Sequence, residues 1–222
     1  MQTHSSPQKS ARRTFLTAVG LSTAGLFVPG AFAEELLRTT SVEEGPYYPY
    51  QLPLDTDNDL LIVNDSLTPA VGEVTHVSGR LLDSGGNPIR SALIEIWQVD
   101  STGTYLRARK PGIKYDANFQ GFGRFLTGST GEYYFRTIKP IAYGGRPAPH
   151  IHFAVKMKGR EKWTTQLFIK GDPGNEKDFL YRDLRDPKAR ESVTVDFDPV
   201  KGSRIGELAA KFDIVMGFTP EA

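Results

Sequence analysis

His150 and His152 flank a single isoleucine in a run that is otherwise mostly apolar: Ala148, Pro149, Phe153, Ala154 and Val155. Side chains two residues apart on a strand project from the same face, so both imidazoles would share one poorly hydrated wall, where an unpartnered ring nitrogen is costly. A metal ion would satisfy both rings, since imidazole suits zinc, copper, iron and nickel. Alternating histidines also occur as ordinary hydrogen-bonded strand residues, and the pair alone does not separate these readings. Two tyrosines could supply oxygen ligands: Tyr105, at the start of a long loop, and Tyr143, just ahead of the histidine strand. Phenolate is a hard anionic donor that matches trivalent iron better than zinc or copper(I). A ferric ion can displace the proton that a free phenol keeps at neutral pH. Either tyrosine could equally be a half-buried residue with its hydroxyl in a hydrogen bond. A hydrolytic zinc site would need a carboxylate beside the strand; Glu95 and Asp100 fit strand pairing and loop structure better.

Composition narrows the chemistry. The chain has 222 residues, 27 basic against 26 acidic, which fits one globular domain and offers no basic field for nucleic acid. Cysteine is absent, which excludes disulfides, thiolate zinc sites, iron–sulfur ligation and thiol nucleophiles together. Residues 1–33 read as an export signal: Arg12-Arg13-Thr14-Phe15-Leu16 precedes an uncharged run and a small-residue exit at Ala31-Phe32-Ala33. Paired arginines there resemble a twin-arginine signal, which carries folded cargo. Gly20, Gly25, Pro29 and Gly30 interrupt the run, which is short for a membrane span. The expectation is a periplasmic or secreted protein, residues 34–222, with no membrane partner once the signal is removed.

The elements that must position these side chains read as short strands punctuated by turn residues. His76–Leu82 runs into the turn signal Asp83–Pro88, and apolar alternation resumes at Ala92–Val99, which looks like a hairpin. Further strands are expected at Glu132–Ile138, His150–Met157, Thr164–Ile169 and Lys211–Met216. Helical period is weak everywhere except Lys177–Leu184 and a turn near Ile205–Ala210. Regular short strands of this kind argue an all-β protein, a single β-sandwich with few short helices. Ser101–Phe125 reads as a long functional loop. Ser41–Asp59 reads as an extended arm on the surface.

Several segments together resemble the intradiol ring-cleavage dioxygenases, the protocatechuate and catechol dioxygenase family. They are Ala92–Gln98, Gly103-Thr104-Tyr105, Asn118–Arg124, Tyr134–Pro140, His150-Ile151-His152-Phe153 and Thr165–Phe168, in family order. Glu44-Gly45-Pro46-Tyr47-Tyr48 is similar to the family's substrate-side arm. Ordered motifs are far more specific than any one of them.

The resemblance implies one ferric ion per chain, with Tyr105, Tyr143, His150 and His152 as its protein ligands. It implies cleavage of catechol-type diols by O2 between the two hydroxylated carbons, giving muconate-type products. Tyr143 matches the tyrosinate that leaves the metal when a catechol binds and can take up a catechol proton. Gln166 matches a residue behind the ligands, and Arg146 is the counterpart of an arginine that stabilises negative charge on the substrate. Arg146 stands one residue farther from the first histidine than the family spacing. Tyr47, Tyr48, Gly144 and Gly145 are expected on the substrate side. The two glycines replace a bulky family residue, which predicts a pocket open to larger ring substituents. Pairing with itself or with a second subunit is open. The competing reading is a non-catalytic, transthyretin-like β-sandwich binding module that keeps the fold, with or without a metal site.

Overall fold

The computed structural model describes residues 36–64 and 66–219, so the expected export segment lies outside the described residues. Strands dominate in the order β1 (Val74–Leu82), β2 (Leu93–Trp97), β3 (Phe122–Leu126), β4 (Glu132–Ile138), β5 (His150–Lys156) and β6 (Trp163–Ile169). Two short helices, α1 (Phe179–Asp183) and α2 (Pro187–Glu191), then precede β7 (Thr194–Val195), β8 (Phe197–Pro199), β9 (Leu208–Lys211) and β10 (Ile214–Val215). One sheet runs β10-β1-β9-β8 with β4 on the free side of β1, and the other runs β3-β2-β5-β6-β7. The fold is the all-β sandwich that the turn spacing predicts.

Alternation explains the first sheet. Thr75, Val77, Gly79 and Leu81 of β1 turn inward, as do Tyr133, Phe135 and Thr137 of β4. They meet Ile94 and Ile96 of β2 and Ile151, Phe153 and Val155 of β5 in one apolar core. Burying a side chain the size of Phe or Ile contributes about 1.5–3 kcal/mol, so this face anchors the sandwich. The strand β5 shows no alternation in burial because both of its faces are covered.

Three expectations change. First, β1 and β2 do not form a hairpin. The Asp83 carboxylate accepts the main-chain N–H groups of Gly85 and Asn87, both at 2.8 Å, so the turn is real. Pairing even continues for a short way, since Pro88 bridges Leu82 and the Ile89 N–H donates to the Leu81 carbonyl oxygen at 2.9 Å. Ser91 then takes a left-handed φ of 57°, and the chain crosses so that Leu93 pairs with Leu126 in the other sheet. Second, Lys211–Met216 is interrupted rather than continuous, because the Asp213 carboxylate takes the Arg80 N–H at 2.8 Å. The expected turn near Ile205–Ala210 accordingly gives way to β9. Third, the irregular segment ends at Gly121, and β3 begins at Phe122. A Cβ on Gly123 of that strand would come within 2.7 Å of the Asp57 carbonyl oxygen, so the arm crosses β3 at a distance only glycine permits.

Candidate metal centre

The histidine pair sits on the outer face of its sheet, away from the sandwich core. Inward and outward residues alternate along β5, and Ile151 and Phe153 take the core while His150 and His152 turn the other way. His152 pairs in register with Trp97 of β2 and Gln166 of β6. Its ring stacks on Trp97 with centroids 4.8 Å apart and planes 10° from parallel. The arm and the long loop close over this outer face. Gly45, at φ +71°, passes where an added Cβ would lie 3.6 Å from His152 Cε1, so the arm lies directly against the ring.

Four donor atoms converge. Tyr105 Oη lies 2.9 Å from His152 Nε2, 3.3 Å from His150 Nε2 and 3.2 Å from Tyr143 Oη. His150 Nδ1 stands 2.7 Å from the Ala148 carbonyl oxygen. A carbonyl only accepts, so Nδ1 carries the proton and Nε2 offers its lone pair to the cluster. His152 Nδ1 is buried without a partner among the described residues. The cluster therefore has more lone pairs than its two phenolic protons can serve, and a cation fits that deficit. No group of three or more His, Cys, Asp or Glu capable of holding a metal occurs among the described residues, so any site here must use the tyrosine oxygens.

Electrostatics prepares the donors unequally. Burial, reinforced by the Arg146 charge, lowers the His150 pKa to about 4. Burial, then the neighbouring His150 and Arg146, holds His152 well below its ordinary value. Both rings are neutral near pH 7 and available as ligands. Burial pushes the Tyr105 phenol well above its ordinary pKa and raises Tyr143 as well, with Arg146 opposing the shift in each case. These phenols keep their protons unless a strong Lewis acid takes their place.

Arg146 is buried and engaged twice. Its Nε donates to Asp178 Oδ2 at 2.7 Å, and a terminal nitrogen donates to Gln166 Oε1 at 2.8 Å. Gln166 in turn donates to the Glu43 carbonyl oxygen at 3.0 Å, tying the root of the arm to the centre. The arginine backbone closes a two-residue turn on Tyr143: Tyr143 N–H donates to Arg146 O at 3.1 Å and Arg146 N–H to Tyr143 O at 2.8 Å. Gly144 and Gly145 form the tip, with Gly145 at φ +87°, and an added Cβ at either would meet open space. They project into solvent rather than line the cleft beside Tyr105 and Tyr143.

The two arm tyrosines separate. Tyr47 lines that cleft, stacked on Tyr105 at 4.5 Å and 10°, with its ring edge-on to Tyr143. Tyr48 points away: its hydroxyl donates to the buried Glu95 at 2.8 Å and accepts from Lys156 at 2.8 Å. It anchors the arm rather than touching the cleft. Asp178 escaped the sequence reading. Its signal was present, because Asp before Phe179-Leu180-Tyr181 is an N-cap pattern, and Oδ1 does accept from Leu180 and Tyr181 N–H. Nothing local indicated that Oδ2 would reach Arg146.

A family model described as Dioxygenase matches residues 43–217. The chain is 34% identical over 173 residues to the protocatechuate 3,4-dioxygenase beta chain of Burkholderia cepacia, covering 74% of this chain and 72% of that one. It is 31% identical to a hydroxyquinol 1,2-dioxygenase of a Rhizobium species over 60% of this chain, spanning 48% of the relative's length. Among solved structures, the dioxygenase domain of a carbohydrate-binding fusion protein from Streptomyces sp. SirexAA-E superposes with a TM-score of 0.63 at 27% identity, covering 82% of this chain and 99% of that one. The chain belongs to the intradiol dioxygenase family. That membership does not favour the transthyretin-like alternative.

Proposed function

We propose that the protein is a non-haem Fe(III) intradiol dioxygenase, with Tyr105, Tyr143, His150 and His152 as ligands of one ferric ion and a catechol-type diol and O2 as substrates. The observation that carries this reading is the convergence of four nitrogen and oxygen donors, all within 3.3 Å of Tyr105 Oη, in a buried site short of protons. Two phenolates and two neutral imidazoles form a hard donor set that favours ferric iron. When bound, ferric iron supplies the Lewis acidity that stabilises an ionised catechol and opens its ring to O2.

The chain's residues divide the remaining tasks. Tyr105 is buried and Tyr143 half-buried, and both line the same cleft. Tyr143 Oη is therefore the phenolic oxygen free to move and to accept a catechol proton. The Tyr47 ring roofs Tyr105 and excludes water on that side. Arg146 favours the ionised form of both phenols, while Asp178 holds its guanidinium and, through the reciprocal main-chain bonds, the turn that aims Tyr143. Gln166 links this assembly to the arm.

Iron loading tests the reading. The loaded protein should show a visible tyrosinate-to-iron charge-transfer band and consume one O2 per catechol with a ring-cleaved dicarboxylic product. A colourless loaded protein, or none of a catechol panel cleaved, overturns it. The proposal extends to export through residues 1–33, and N-terminal sequencing of protein recovered outside the cytoplasm should begin near Glu34; an intact Met1 there contradicts it. The relatives include alpha and beta chains from one organism, and assembly of this chain with a second copy or a second subunit belongs to the same proposal, testable by light scattering.

A further inference from the structure

The cleft that holds Tyr105 and Tyr143 is larger than one aromatic ring requires. It is an open cleft of about 420 Å³, whereas a cavity of about 150 Å³ accepts benzene. A second cleft of about 440 Å³, lined by Tyr50, Gln51 and prolines of the arm, adjoins it. Leu106 lines the second cleft, directly after Tyr105, and Arg107 lines both, so Arg107 marks their junction. A single-ring diol would leave most of this space to water.

The charge along the wall has one sign. Neither cleft is lined by an aspartate or glutamate, while Arg107, Arg109 and Lys110 line the first. Arg109 sits in the field of Asp100 and Asp116 and donates to the Phe119 carbonyl oxygen at 2.6 Å, which makes it part of the loop's own structure. Arg107 and Lys110 differ. No carboxylate pairs with either among the described residues, and the Lys110 ammonium has no hydrogen bond there. Arg107 is held in place nonetheless: its guanidinium lies 3.9 Å from the Tyr50 ring centroid and donates to the Pro46 carbonyl oxygen. Arg146, the other cation near the centre, is already neutralised by Asp178. The rest of that lining, at Gly103, Thr104 and Tyr47 among others, is uncharged.

We propose that Arg107 and Lys110 form a subsite for a carboxylate carried away from the reacting ring, so that the favoured substrate is an extended catechol with its acid on a side chain or second ring. The inference rests on the dioxygenase reading for the position of the diol and adds the class of substituent. An arginine fixed over an aromatic face at a cleft junction is suited to bidentate carboxylate binding. Lys110 adds a second, solvated charge whose contribution falls with ionic strength.

The test compares 3-(3,4-dihydroxyphenyl)propionate with its neutral amide. Calorimetric binding to the iron-loaded protein without oxygen gives one readout, and the ratio of kcat/KM values in air gives another. The acid should bind about tenfold more tightly than the amide at low salt, with the preference shrinking as salt rises. The Arg107→Gln, Lys110→Gln double variant should bring the ratio near one, and so should Lys110→Gln alone in part. Equal binding of acid and amide, or a preference that survives the double variant, overturns the subsite. Should no catechol be cleaved in air, the dioxygenase reading fails by itself, and the binding ratio still decides whether the subsite exists.

Discussion

The two faces of β5 make the most instructive comparison in the molecule. Ile151, Phe153 and Val155 face the other sheet in a dry apolar core whose members are interchangeable in kind. His150 and His152, one residue out of phase, face a polar cluster closed by Tyr105 and Tyr143 from two different loops. Both faces are buried, so burial alone does not distinguish them. Partner count does: the core face has every contact it needs, whereas His152 Nδ1 is left without a partner. One face is fully satisfied by its packing, and the other holds a buried polar atom that its neighbours leave unserved.

Substitutions can break that contrast, beginning with the largest expected loss of stability. Phe153→Ala should cost about 3–5 kcal/mol in the metal-free protein through lost burial and a residual cavity, measured by urea unfolding. A loss below about 1 kcal/mol would show that the sheets do not depend on this face. Asp178→Asn comes next, at about 3 kcal/mol, because Arg146 would remain buried without a counter-charge. Asparagine keeps the N-cap of α1, which separates the ion pair from the helix start. Unfolding should show that loss, and iron affinity should drop by about 10–100-fold, as for removal of a group supporting metal ligands.

On the outer face, His152→Leu should change metal-free stability by no more than about 1.5 kcal/mol, since it exchanges an under-satisfied polar ring for an apolar one of similar size. The same variant should lose iron on dialysis. Retained iron and colour would remove His152 from the ligand set. Tyr105→Phe and Tyr143→Phe should each cost about 1 kcal/mol, one hydrogen bond apiece, yet differ toward iron. The buried Tyr105 should matter for retention, and the half-buried Tyr143 for the rate of substrate deprotonation in single-turnover kinetics. Identical metal content and rates would collapse the two roles into one. Smallest of all, Asp196→Asn breaks the exposed Lys170 pair and should move stability by less than about 1 kcal/mol. A larger effect would mean that surface pairs stiffen this sheet as much as the buried Arg146–Asp178 pair does.

Much of this organisation was readable before folding. The strands Glu132–Ile138 and His150–Lys156 declare themselves through local apolar content and flanking turn residues, and the histidine spacing alone fixes a shared face. The absence of cysteine limits any metal to nitrogen and oxygen donors. The ordered motifs point to the family, and they single out Tyr105 and Tyr143 as well as the histidines. All of these are properties of residue type and short-range spacing, which the chain carries in any conformation.

Tertiary structure decided the rest. The turn at Asp83–Pro88 is local, but which sheet β2 joins is decided by its ladders with β3 and β5, far along the chain. Tyr47 and Tyr48 are neighbours with the same side chain, yet one roofs the centre and the other binds Glu95, because the arm turns at these residues between two different sets of partners. Arg146 was visible in sequence, but its neutralisation by Asp178 was not, since the pair joins a hairpin tip to a helix start 32 residues later. A charge shows its sign in the sequence. Whether that charge stands without a carboxylate among the described residues, as at Arg107, or is paired with a buried one, as at Arg146, is settled only when distant segments meet.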